Sequence, residues 1–332
     1  MRPSFAAGPV RNLRFTAGAL TNLRRLAPAA ILLLARFPVA ARAEDLPTHT
    51  ALNLPFAGYG ISIGNSARHS GLRFNWSDDG IEKINGLNVT LWVPGEPLSG
   101  TMNGVGIGLG VMGAGEINGL SFGLGGVFGE HALNGISIGG LAIITSGDAA
   151  GVTFSGFGVV ASGSLTGFNF GGVGCVAGGN MNGASVGPLG LVATGSLSGL
   201  NLAGLAAVSG GAVAGLNASI GAVVAKGDIA GLSITAGAIQ TAGDVAGFTV
   251  AGFRTKSDRV TGIDLNVLTT DVRCATGLVT GLYNNVSGRQ EGISIGLLNR
   301  TSSLFGVQIG LVNIAENNPE GFRALPFLNV HF

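Results

Sequence analysis

Charge is scarce in this chain: Asp, Glu, Lys and Arg together make up 11% of 332 residues. Aromatic residues are 6%, with two Trp and two Tyr, and there are two Cys and four His. Disorder requires low hydrophobicity and high charge, so a mean hydropathy of +0.49 excludes it. His49, His69, His131 and His331 have no metal-ligand spacing with Cys, Asp or Glu, so no zinc site is expected. No cofactor is expected either. The string Gly106-Ile107-Gly108-Leu109-Gly110 lacks the Lys-Ser/Thr ending of a phosphate loop, and the Asp residues do not recur every nine positions as in calcium-binding repeats.

The net charge of +1 hides an asymmetry. Seven of the 18 basic residues precede position 44, and no acid precedes Glu44. Arg24-Arg25, the apolar run Leu26 to Leu34, and Ala41-Arg42-Ala43 give the three parts of a secretory signal peptide, cut between Ala43 and Glu44. The apolar run is too short for a membrane helix. Removing residues 1–43 leaves 11 basic against 17 acidic residues, a mature chain of about −6 with no basic footprint for nucleic acid.

Glycine is what the chain has in excess, at 60 residues. It does not fall at every third position, which excludes collagen, and its cost in a helix interior argues against long helices. From Gly119, a Gly followed by an apolar residue recurs at 135, 151, 167, 183, 199, 215, 231 and 247, eight intervals of 16. The register runs on to Gly262, Gly277, Gly292 and Gly306, and back to Gly104, Gly86 and Gly71. Within each unit an apolar residue, a small polar residue and a second apolar residue follow the Gly, the alternation of a half-buried strand. The polar members are Ser121, Ser137, Thr153, Asn169, Ser185, Asn201, Asn217, Ser233 and Thr249. With the apolar positions taken as buried, this column is expected to form an outward-facing surface ladder. A second apolar stretch follows, such as Leu189 to Val192, then a corner such as Gly195-Ser196 or Gly243-Asp244. The corner Gly is expected to supply positive φ, and the polar side chain to bond its own backbone.

Two architectures fit a 16-residue unit. One is a parallel β-solenoid with one unit per coil. The other is a transmembrane up-and-down β-barrel with one unit per strand, and the alternating Leu328, Val330 and Phe332 suit a closing barrel strand. Three features favour the solenoid. Every unit has the same phase, whereas a barrel would repeat every two. No Trp or Tyr girdle is in register between Gly119 and Gly247. Asn284, Asn299 and Asn313 each lie seven residues after a register Gly, a column that stacking would satisfy. In the solenoid Cys175 and Cys274 are six coils apart, about 29 Å at the strand spacing, so both thiols are expected to be free.

The expected organisation is a signal peptide (1–43), irregular first units (44–85), a repeat array (86–318) and a terminal cap or closing strand (319–332). Between Gly119 and Val250 there are five charges: Glu130, Asp148, Lys226, Asp228 and Asp244. Asp228 and Asp244 are one unit apart and could form the acid pair of a carbohydrate-active β-helix, but turn chemistry is the preferred reading of both.

The closing units read GISIGLLNRTSSLFGVQIGLVNIAENN and end LPFLNVHF. They resemble the exported surface-repeat proteins of Gram-negative bacteria, whose units run Gly-apolar-Gln/Ser-apolar-Gly-Leu-apolar-Asn. The resemblance covers about the last 55 residues closely and the chain back to Gly86 loosely; in the middle the Asn column is lost. It implies an outer-membrane or cell-surface location and no catalytic residues. The resulting expectation is a non-enzymatic exported envelope protein, structural or adhesive, with an envelope component, the outer membrane or a second copy as partner. A pore-like barrel is the alternative, and a carbohydrate-active β-helix a more distant one.

Overall fold

The structure, a computed structural model, describes residues 51–332 apart from 57–58 and 96–97. The signal peptide and its cleavage between Ala43 and Glu44 lie outside the described residues. Among the described residues there are 26 strands and no helix. Pairing is parallel throughout except at the two ends, where Ala51–Phe56 runs antiparallel to Tyr59–Gly64, and Ala324–His331 antiparallel to Leu298–Ala315. Each strand pairs with its equivalent one repeat away: Gly199 opposes Gly183 on one side and Gly215 on the other. The chain is therefore a parallel β-solenoid of about 15 turns. An up-and-down barrel needs antiparallel neighbours, so the barrel reading of the fold is overturned.

A typical coil has a seven-residue strand (Leu197–Ala203), a corner, and a four-residue strand (Ala206–Ser209). From Arg254 onward the two strands merge into single strands of 12 to 18 residues. Parallel stacking begins at Gly60 opposite Gly71, before the regular array. Each end strand carries a proline, Pro55 and Pro326, which cannot donate a ladder hydrogen bond to a further strand.

The register glycines sit inside the longer strand. Sixteen of them, from Gly71 to Gly306, have φ between +98° and +141°. This corrects the expected placement: positive φ belongs to the strand glycine, while Gly147, Gly163, Gly195, Gly227 and Gly243 at the corners are not in that region. Close approach accounts for four of these five corner glycines instead, Gly227 being the one with room, its nearest atoms at 3.1 Å. A Cβ on Gly163 would overlap the Asp148 carboxylate, and one on Gly195 the Asn180 side chain.

The corner side chains also bond differently from expectation. Asp148 Oδ1 accepts from the Ser164 amide at 2.6 Å, Asn180 Oδ1 from Ser196 at 2.8 Å, and Asp228 Oδ1 from Asp244 at 2.9 Å. Each satisfies the backbone of the next coil rather than its own. The corner is thus a second ladder along the axis, and Asp228 and Asp244 are two of its members.

The core comes from two apolar columns. One lies two residues before each register Gly: Leu165, Met181, Leu197, Val213, Ile229 and Val245. The other lies on the shorter strand: Ile143, Val159, Leu191, Val223 and Ile239. Cys175 belongs to the second column, opposite Val159 and Leu191, and burial pushes its thiol up to about 12. Both cysteines are free, with Cys274 only half-buried. In the native protein at about pH 8, a maleimide is expected to label Cys274 and spare Cys175, because little thiolate forms at a buried group. Mass spectrometry of the labelled peptides checks this, and equal labelling of the two would contradict the packing.

Candidate functional site

The alternation along the longer strand is present, with its phase opposite to expectation. Ser121, Ser137, Thr153, Asn169, Ser185, Asn201, Asn217, Ser233 and Thr249 are all buried, none more than 4% exposed. They form no surface ladder. They line the interior and bond along the axis: Ser121 Oγ donates to Ser137 Oγ at 2.9 Å, Thr153 Oγ1 to Asn169 Oδ1 at 2.8 Å, and Asn201 Nδ2 to Asn217 Oδ1 at 2.8 Å. Room explains the inversion. A coil this narrow is filled by one large residue from each of the two core columns. Glycine or a small residue stands two places beyond the polar one, and a Cβ on Gly171 would overlap the Gly174 carbonyl. A small polar side chain that finds its partner about 4.8 Å away in the next coil fits the remaining space, although the ladder is incomplete: Asn169 Nδ2, Ser185 Oγ and Asn201 Oδ1 are buried without a hydrogen bond.

The column extends further than the sequence reading placed it. The residue two after Gly71 is Arg73, and the residue two after Gly262 is Asp264. Both point inward and are fully buried. The Arg73 guanidinium pairs with Asp78, and also donates to Asn88 Oδ1 and Asn65 Oδ1, each at 2.7 Å. Asp78 in turn accepts from Asn75, Asn88 and Thr90. Asp264 has no cation among its recorded partners. Its carboxylate accepts from Thr249 (2.6 Å), Thr255 (3.0 Å), Asn266 (2.6 Å) and Thr270 (3.3 Å). Register alone would have found both residues.

Burial raises the Asp264 carboxyl above its ordinary range, and those four hydrogen bonds lower it in part. A raised native value means that the folded chain favours the protonated acid. The contribution to stability is full below the unfolded value and is lost as pH rises through the native one. Relative to Asp264→Asn, the wild type is therefore expected to lose melting temperature as the pH is raised above about 4. Thermal melts of both proteins across that range check this, and a pH-independent difference would contradict it.

The column Asn284, Asn299 and Asn313 is buried. Asn284 Nδ2 donates to Asn299 Oδ1 and Asn299 Nδ2 to Asn313 Oδ1, both at 2.8 Å, while the same amides reach the Ile295 and Ile309 carbonyls at 2.9 Å. A further ladder, which the sequence reading missed, lies half-buried one residue before the register Gly. There Asn103 donates to Asn85, Asn118 to Asn103, and Asn134 to Asn118.

With the polar column inside, the apolar columns face out. All sixteen residues that directly follow the positive-φ glycines are apolar, as are fifteen of the sixteen two places further on, Thr280 being the exception. Many are well exposed, for example Ile136 (43%), Phe154 (45%) and Leu216 (41%). Phe154 and Phe170 stack with ring centroids 4.7 Å apart. A third column lies along the adjoining corner at Leu141, Phe157, Leu189 and Leu205, each more than half exposed, and is interrupted at Gly221 and Gly237. At the C-terminal end these columns and Phe327 bound a shallow apolar concavity of about 500 Å3. Phe327 is the sole non-glycine residue with positive φ among those described, at 65°.

Charge lies elsewhere on the coil. The pairs Arg254–Asp271 (2.6 Å) and Arg300–Glu316 (3.0 Å) are exposed, and Arg254, Asp271 and Arg300 stand on the ladder of the shorter strand. Among the described residues no three His, Cys, Asp or Glu side chains group as a metal site. The arrangement offers a long contact surface supported by internal hydrogen-bond ladders. No protein-family model, curated protein or solved structure matches the chain.

Proposed function

We propose that this chain is an exported, non-enzymatic rod of the Gram-negative cell envelope, serving as a structural or adhesive element. The observation that carries the reading is the set of three apolar columns running along the solenoid. The largest apolar patch on a typical monomer is about 300–600 Å², and this one is about twice that, so it serves by being covered. Stacked hydrogen-bond ladders stiffen the support beneath it. The basic, apolar and Ala-x-Ala segments at the start of the chain supply the export signal, and the closing units resemble surface-repeat proteins. Fractionation of a Gram-negative host expressing the full chain with a C-terminal tag tests the proposal. The expected product lies in the envelope fraction and begins at Glu44. An uncleaved product confined to the cytosol would overturn it.

A further inference from the structure

We infer that the apolar face of the longer strands is a homodimer interface, packed face to face on the same surface of a second copy of this chain. The inference holds whether or not the chain is exported, since it rests on the surface alone. Fifteen coil intervals of about 4.8 Å make the face about 70 Å long, and two columns about 6.8 Å apart with the corner column beyond them make it about 14 Å wide. Each copy would thus contribute on the order of 1,000 Å², and the pair about 2,000 Å². That is the top of the range of standard stable interfaces and the lower edge of that of permanent homodimers, well above weak encounters. The apolar columns carry no charge, and they repeat at one spacing along the axis, so the face complements itself. A two-fold pairing needs such self-complementarity. Two sheets packing this way stand about 10 Å apart with interleaved side chains.

The rim argues against lipid as the occupant. A protein surface lying on a membrane is bordered by Lys and Arg that meet anionic headgroups, and by Trp or Tyr at the interface. Over the nine middle coils, between Gly119 and Val250, the chain has one basic residue, Lys226, and neither Trp nor Tyr. Its other charges there are the acids Glu130, Asp148, Asp228 and Asp244, which headgroups would repel. The exposed Trp76 and Trp92 stand at the N-terminal end of the face, and the Arg residues lie outside the middle coils. A second copy requires no such rim.

The test is sedimentation equilibrium on the full chain without detergent, for the wild type and two triple variants. Ile136→Glu/Phe168→Glu/Leu200→Glu places three acids on the face, in alternate coils. Val160→Glu/Val192→Glu/Val224→Glu places three on the shorter strand's outer side. The wild type and the second variant are expected to sediment as dimers. The face variant is expected to be monomeric at the same concentration, its dimer weakened about 100-fold or more, with unchanged far-ultraviolet circular dichroism. Leu202→Cys, with Cys175→Ala and Cys274→Ser, covers the case in which the face variant misfolds. Leu202 lies in the middle column of the ninth of sixteen coils, so it meets its own counterpart whichever way the two-fold runs. A short bismaleimide is expected to link two such chains. A monomeric wild type, a dimeric face variant, no cross-link at Leu202→Cys, or monomers that float with phosphatidylcholine/phosphatidylglycerol vesicles would each overturn the inference.

Discussion

Gly199→Ala is expected to unfold the coils around it, at a cost of about 3 kcal/mol or more. Gly199 has φ +103°, beyond the left-handed region that an L-residue can visit, and it lies in mid-strand rather than in a turn. A Cβ there would overlap the carbonyl oxygen of Gly183 in the preceding coil. Neither atom can move aside, because both belong to strands paired in register on each side. Gly158→Ala is the matched control. Gly158 has no positive φ, and its added Cβ would meet only the Gly174 oxygen at 3.5 Å, an ordinary contact. Alanine already fills the same column at Ala142, Ala206, Ala222 and Ala238. Urea denaturation of the two variants is expected to separate them by most of that cost. Equal effects would show that the strand glycines act by composition and not by conformation.

Asp78→Ala is expected to remove about 3–5 kcal/mol from the first coils while leaving the rest of the rod intact. The Arg73 and Asp78 side chains are 0% and 1% exposed. Truncating the acid leaves a buried guanidinium without its counter-charge and strips Asn75, Asn88 and Thr90 of a shared acceptor. In a stacked repeat each coil touches its neighbours alone, so the loss should stay local. Hydrogen exchange is expected to show lost protection over about residues 68–108, with amides beyond Gly119 close to wild type. Asp78→Asn keeps most of the shape and loses the charge, so it should fall between the two. A uniform change along the chain, or none, would contradict the role given to this pair.

What was legible in the sequence was the repeat itself and its consequences along the axis. The interval of 16 gave the coil, the common phase of all units favoured stacking over a meander, and the Asn284, Asn299 and Asn313 column forms a bonded stack. The side of the sheet was not legible. Period two determines which residues share a face, as Leu200 and Leu202 do against Asn201, but not which face is inside. Apolar residues are usually interior, yet apolar atoms also make up much of any protein surface, so that rule runs one way. Here the apolar residue re-entering after each corner, Leu197 or Ile229 for example, already fills the narrow interior. Small polar residues can be buried because each has a copy of its own column one coil away. The same rule put Arg73 and Asp264 out of view, since a charged residue in a strand is read as solvated unless its register is compared with the ladder. The corner acids were misread for a related reason. Their partners are 16 residues away, and local turn chemistry looks only two or three residues along the chain.

All of these conclusions depend on coils stacked in parallel at one strand spacing per unit. Ser146, Ser162, Lys226 and Ala242 are exposed and share one corner column. Spin labels on cysteines at Ser162 and Lys226, four units apart, and at Ser146 and Ala242, six apart, would measure the stacking directly. The background carries Cys175→Ala and Cys274→Ser, and labelled protein is diluted with unlabelled chain so that only distances within one molecule are read. Pulsed electron spin resonance is expected to give about 19 Å and about 29 Å, rising by about 4.8 Å per unit. Distances that do not grow with the number of units between the labels would contradict the solenoid, and with it the apolar face and the buried polar column.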